Sequence, residues 1–276
     1  MLLEAVSLRH VYADGSIGLD DCSLAVRPGS RNALLGANGS GKTTLLQHFN
    51  GLLRPSAGRL LWAGAPVDTS RAGLAALRRR VGLVFQNPDR QLFSASVFED
   101  VSFGPLNLGL DEATVRRRVA QALAAVGMSE QAERPVHHLS FGQKKRVCIA
   151  GVLAMQPEML LLDEPMAGLD AAMQVELLAV LDDLTARGIT IVLSTHDVDF
   201  AYRWADDIHL LDAGRCIASF AAADLPQQAA ALRQAGQAMP AVIELHRLLA
   251  ARGVLETVPP RSLEALLASL SLQESS

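Results

Sequence analysis

The segment Gly36-Ala37-Asn38-Gly39-Ser40-Gly41-Lys42-Thr43 fits G-x-x-x-x-G-K-[ST], a spacing whose chemistry is the cradling of nucleoside triphosphate. Glycines there can take φ > 0 and leave backbone N–H groups open to an anion, while a helix starting at the end of the loop adds its orphan N–H groups and positive dipole end. Lys42 brings a compact positive charge to the β and γ phosphates, and the Thr43 hydroxyl faces Mg²⁺. A second group of acids follows far downstream. Asp163 and Glu164 end the apolar run Met159-Leu160-Leu161-Leu162. Asp163 can bind Mg²⁺ directly or through a water, and Glu164 can polarise the water that attacks the γ-phosphate. Between the two lies Leu139-Ser140-Phe141-Gly142-Gln143, where Ser140 and Gln143 stand in the S-x-x-Q relation of a helix capping box.

These groups need elements that hold them together. Ser30 to Leu35 reads as a short buried strand and Thr43 to Phe49 as helix, the strand–loop–helix order that phosphate binding demands. Met159 to Leu162 forms another strand, which puts Asp163 and Glu164 at the carboxyl edge of a sheet, where α/β folds place ligands. Strands are also expected over Val81 to Phe85 and Ile189 to Ser194, and a helix over Lys144 to Met155. With 276 residues and 50% hydrophobic content, the chain can build one full α/β core plus a smaller appendage.

Composition narrows the function. A net charge of −4 argues against the broad basic surface of a nucleic-acid binder, and Arg78-Arg79-Arg80 and Arg116-Arg117-Arg118 read as solvated faces. Cys22, Cys148 and Cys216 are scattered without metal-ligand spacing, which suits buried free thiols in a reducing compartment. Met1-Leu2-Leu3 runs straight into Glu4 without a signal-peptide pattern, and the longest apolar run, Val147 to Met155, is too short to span a bilayer. A membrane role would therefore come through a partner.

The series Gly36 to Thr43, Gln86, Leu139 to Gln143, Leu160 to Glu164, Gly168-Leu169-Asp170 and Ser194-Thr195-His196-Asp197 resembles, in order and spacing, the ATP-binding-cassette ATPases over about Leu3 to Arg215. The resemblance implies an α/β P-loop NTPase fold with a RecA-like core and a helical subdomain at about 90–155. It implies ATP and Mg²⁺ as ligands, with Gly36, Ala37, Asn38, Gly39, Ser40, Gly41, Lys42, Thr43 and Thr44 around the phosphates, Tyr12 on the adenine, and Thr43, Gln86 and Asp163 on the metal. Glu164 would be the general base, His196 a γ-phosphate ligand, and Gln86 a contact to the lytic water. Two cassettes would face head to tail, each offering Ser140, Gly142 and Gln143 to the nucleotide of its partner, with Asp170 across the seam. Two positions depart from the family pattern: Phe141 stands for the usual Gly, and Met166 for the common Thr or Ser.

The stretches Gln86 to Phe93, Val97 to Pro105 and Asn107-Leu108-Gly109 are similar to the energy-coupling-factor branch. Within it, Leu139 to Met155 resembles the ATPases of cobalt import, with nickel or vitamin import as the alternative. That branch implies separate integral membrane coupling and substrate-binding subunits, a second ATPase subunit forming a homodimer, and a peripheral place on the cytoplasmic face of the cell membrane. Physically, Phe85, Phe93, Phe98 and Phe103 with Leu92, Val97 and Val101 could line a groove for an amphipathic helix of a membrane partner, though part of the set belongs to subdomain core. His10, His48, His137, His138, His209 and His246 show no paired metal-ligand spacing, so cobalt enters only as cargo. A nucleic-acid or ribosome-acting member of the family is the rival of another class. The 54 positions from Gln86 to Ser140 leave no room for the long coiled coil of a chromosome ATPase, and no second phosphate loop exists for a twin-cassette factor.

Past Arg215, residues 216–276 read as a small helical region with helices over Pro240 to Ala250 and Ser262 to Leu272, interrupted at Pro259-Pro260. Apolar residues recur at helical spacing through Val242-Ile243-Leu245-Leu248-Leu249 and Leu263-Leu266-Leu267-Leu270. The resemblance implies that this tail helps to pair two ATPases.

Overall fold

A computed structural model of the chain describes residues 1–254 and 258–273. Its centre is a six-stranded sheet built from β3 (Arg31–Leu35), β6 (Val81–Val84), β7 (Met159–Leu162), β8 (Thr190–Thr195), β9 (Asp207–Asp212) and β10 (Arg215–Ala221). The order is β10-β9-β3-β8-β7-β6, parallel from β9 through β6, with β10 as an antiparallel edge. A second, antiparallel sheet in the order β2-β1-β4-β5 comprises β1 (Leu3–Val11), β2 (Ile17–Val26), β4 (Ala57–Trp62) and β5 (Ala65–Pro66).

The period-2 alternation of a strand explains how the central sheet is covered on both faces. On β7, Leu160 and Leu162 enter one apolar cluster while Met159 and Leu161 enter the other. On β8, Ile191 and Leu193 face the first cluster and Val192 the second. The first cluster is shared with α3 (Val97–Asn107), α4 (Glu112–Ala125) and α5 (Phe141–Leu153) through Val101, Val119 and Val147. The second takes in α1 (Lys42–Phe49) through Leu45, Leu46 and Phe49, and the antiparallel sheet through Leu3, Leu8 and Leu24. The three helices α3 to α5 fall inside the span expected for a helical subdomain.

The expected boundary after Arg215 falls on the first residue of β10, which pairs with β9 from Arg215↔Asp212 to Ala221↔Asp207. Its pattern Arg-Cys-Ile-Ala-Ser-Phe-Ala leaves the edge strand half exposed, too weak an alternation to separate it from a following Ala-rich helix. Among the described residues, the tail beyond shares the core of the main body. Leu225, Leu232, Val242, Ile243 and Leu266 join the same cluster as α3 to α5. Helices α9 (Ala241–Ala250) and α10 (Leu263–Gln273) lie where expected, and they leave Leu248, Leu263 and Leu267 more than half or half exposed.

Candidate functional site

The phosphate loop joins β3 to α1, whose N-cap is Gly41 at φ 102°, a conformation that strains any residue with a Cβ. The capping position makes no side-chain cap bond among the described residues, so the first N–H groups of the helix remain available to an anion. Lys42 is 6% exposed and donates from Nζ to Gly36 O at 2.7 Å and Ala37 O at 3.0 Å. Glu164 Oε1 lies 4.0 Å from the same ammonium. Burial pulls the Lys42 pKa below its ordinary value, while Glu164 and Asp163 push it back up.

The acids at the end of β7 meet this loop. Thr43 Oγ1 donates to Asp163 Oδ2 at 2.8 Å, and Ser194 Oγ, at the end of neighbouring β8, donates to Asp163 Oδ1 at 2.6 Å. Ser194 also accepts the Glu164 N–H at 2.8 Å. Glu164 takes a left-handed backbone, φ 45°, which aims its carboxylate at the loop. His196 Nδ1 lies 3.2 and 3.1 Å from the two Glu164 oxygens. Its ring is exposed at the mouth while Glu164 is largely covered.

Together these groups line a cleft of about 380 Å³ bounded by Tyr12, Asn38, Gly39, Gly41, Lys42, Thr43, Thr44, Gln86, Asp163, Glu164 and His196. Gln86 and Thr43 also border an adjoining cavity with Gln47, Asn87 and Arg90. Tyr12 stands beside the loop, its hydroxyl 2.8 Å from Thr44 Oγ1 and its ring edge-on to His10, which in turn meets His48. Gly36, Ala37 and Ser40 shape the loop backbone without facing the cleft, Ala37 exposed and the other two buried. A Cβ at Gly36 would fall 2.3 Å from Leu211 O.

Four expected residues stand apart from this cleft. Ser140 and Gln143 form the capping box at the start of α5, with Gln143 N–H donating to Ser140 Oγ and Ser140 N–H to Gln143 Oε1. Gly142 is buried against Met173 and Leu169. Asp170 caps α6 (Ala171–Ala186) by accepting the Met173 N–H. The side chain of Phe141 packs on Gly168, where an added Cβ would meet the ring at 2.9 Å. A bulky residue at 141 is thus matched by a bare one at 168.

The chain's sequence pattern gives Ser194 and Lys145 no role, yet both hold the turn that carries Glu164. The signal for Ser194 is a hydroxyl closing a buried run, Ile191-Val192-Leu193, at the carboxyl edge of the sheet. For the groove, Val97 and Val101 are core, whereas Phe93 and Phe103 are exposed and meet edge to face at 4.8 Å. They flank a cavity of about 660 Å³ with Phe85, Leu92, Leu52 and Met155. Arg78 and Arg79 border it too, so that basic run does more than face solvent.

The ABC transporter family model matches residues 19–167. The chain is 54% identical over 244 residues to a cobalt import ATP-binding protein, CbiO, of Rhodobacter capsulatus, covering 88% of this chain and 87% of that protein. It is 45% identical to the energy-coupling factor transporter ATP-binding protein EcfA of Methanocaldococcus jannaschii, covering 90% of this chain and 89% of the other. The solved structure of cbiO1 from Clostridium perfringens, described as part of the ABC transporter complex cbiONQ, superposes with a TM-score of 0.77 at 42% identity, covering 89% of this chain and 98% of that one. The phosphate loop, the paired acids and these likenesses agree: the chain belongs to the ABC transporter family, as one of its ATP-hydrolysing cassettes.

Proposed function

We propose that this chain is the ATPase subunit of an energy-coupling-factor importer that takes up cobalt ions through separate membrane subunits. The observation that carries the reading is the cleft in which Lys42, Thr43, Asp163, Glu164, Gln86 and His196 converge. ATP is held by the loop backbone and Lys42, with Tyr12 against the adenine. Glu164, oriented by His196 and held through its main chain by Ser194, takes a proton from the attacking water. The hydroxyl of Thr43, the carboxylate of Asp163 and the amide oxygen of Gln86 are hard oxygen donors suited to Mg²⁺. When bound, that ion supplies charge neutralisation at the β and γ phosphates.

Cobalt as cargo is supported by the 54% likeness to the Rhodobacter capsulatus cobalt import protein. The cavity flanked by Phe93 and Phe103 offers an amphipathic helix of a membrane subunit an apolar seat. No helix among the described residues is long and apolar enough to cross a membrane, which fits a peripheral subunit at the cytoplasmic face. Purification with the native membrane subunits, followed by ATP turnover with cobalt, nickel or a vitamin, tests the assignment. Stimulation by cobalt supports it; stimulation by a vitamin alone replaces the cargo.

Ser140, Gly142 and Asp170 do not line the cleft of their own chain, which supports a site completed by a second copy. A chain damaged at Ser140 and Gly142, mixed with one carrying Lys42→Ala, should therefore regain part of the parental phosphate release, since one composite site is whole. A mixture that stays inactive despite proven subunit exchange places each site within one chain.

The tail provides a nucleotide-independent contact between the two copies, raising the effective concentration of the second cassette after hydrolysis. Cutting at Arg215 would remove β10 and take Leu225 and Ile243 out of the core they share with α3 to α5, so substitution is the cleaner probe. Leu248→Glu with Leu267→Glu changes two exposed side chains. It should lower the dimer population in ATP-free sedimentation equilibrium while leaving nucleotide affinity intact. Equal dimer content would refute the dimerising role.

A further inference from the structure

Lys145 lies on the helix that begins at Ser140, yet its side chain serves another part of the molecule. The residue is 3% exposed. Its Nζ donates to Glu164 O at 3.3 Å, Pro165 O at 2.6 Å and Ala167 O at 2.7 Å. Three N–H groups on three carbonyls use the whole donor capacity of an ammonium. The same nitrogen lies 5.2 Å from the centre of the Phe141 ring, which itself rests on Gly168. A buried ammonium is costly to desolvate, and only fully made hydrogen bonds and nearby charge offset that cost, whereas an apolar side chain of equal length carries none of it. Here the bonds gather the main chain from the left-handed Glu164 onward to Ala167, while Ser194 holds the Glu164 N–H.

We propose that Lys145 is a positioning residue: it ties the turn carrying the Glu164 carboxylate to the Ser140 helix, so that engagement of this helix by the opposite nucleotide fixes the base of its own chain. The proposal rests on the composite-site reading above. Burial lowers the Lys145 pKa to about 8, with Glu164 and Cys148 opposing the fall, so the ammonium form holds at neutral pH. Lys144, one residue earlier, pairs instead with Asp89 at 2.7 Å, four residues before Phe93. The start of α5 is thereby joined to the segment after Gln86 as well as to the base.

The test compares Lys145→Met and Lys145→Gln with the parent in full-length dimers. Lys145→Met should lower kcat for ATP by about tenfold or more with KM moved by less than about threefold, the pattern of a lost transition-state interaction. Lys145→Gln keeps two N–H donors and should recover about threefold of that loss. The double variant Lys145→Met/Glu164→Gln should form as much ATP-bound dimer as Glu164→Gln alone, because nucleotide capture does not depend on where the base sits. Parental kcat in Lys145→Met, or loss of the ATP-bound dimer in the double variant, overturns the proposal. Should Lys145→Met lose its cooperative melt, Lys145→Gln is compared directly with the parent, and an unchanged kcat overturns it equally. Parental turnover in Glu164→Gln by itself would instead remove the base assignment, whatever Lys145 does.

Discussion

Glu164→Gln is expected to bind ATP like the parent and to lose turnover by a factor of roughly 10²–10⁴, the range a positioned general base contributes. The substitution is nearly isosteric, and the bonds that place residue 164 are made to its main chain: Ser194 accepts its N–H and Lys145 holds its carbonyl. An amide therefore occupies the place of the carboxylate without dismantling the turn. What disappears is the proton acceptor beside His196 and the negative charge 4.0 Å from Lys42. Phosphate release under saturating ATP, paired with titration calorimetry, reads both quantities. A variant that releases phosphate at the parental rate would send the search for the base elsewhere in the cleft.

Lys42→Ala should act at an earlier step, weakening Mg-ATP binding by about tenfold or more and removing most hydrolysis, since a buried cation facing phosphate charge is lost where screening is weak. The ammonium sits on Gly36 O and Ala37 O, drawn inward by the loop that must later present it to phosphate. Lys42→Arg is not expected to rescue it, because a planar fork does not fit the compact space left between those carbonyls. Calorimetric binding and phosphate release again report the result; parental values for both would exclude a phosphate contact.

The local chemistry of the site was legible because it depends on neighbours in sequence. The glycines and Lys42 of the loop, the capping box of Ser140 and Gln143, and the acids ending β7 are each read within a few residues. The convergence of the loop and the acids with Tyr12, Gln86 and His196 in one cleft, which Ser140 and Gln143 do not line, was legible only through the family resemblance, since no local pattern sets the order of strands in a sheet. Ser194 and Lys145 escaped for the same reason: each bonds to residues 19 to 31 positions away. β10 escaped because an edge strand has one partner and a half-exposed pattern, which leaves little alternation to detect. The departure at Phe141 is matched at Gly168, twenty-seven positions away, a pairing that no local pattern shows.

The left-handed backbone of Glu164 sets this molecule's chemistry against its own durability. A non-glycine residue held there costs on the order of 1–3 kcal/mol, and the surrounding bonds must supply it. Selection for heat resistance alone would favour glycine at that position, discarding the proposed base to relax the chain. Thermostable variants obtained without an activity filter should therefore be sequenced first at residue 164, where ruggedness and turnover pull in opposite directions.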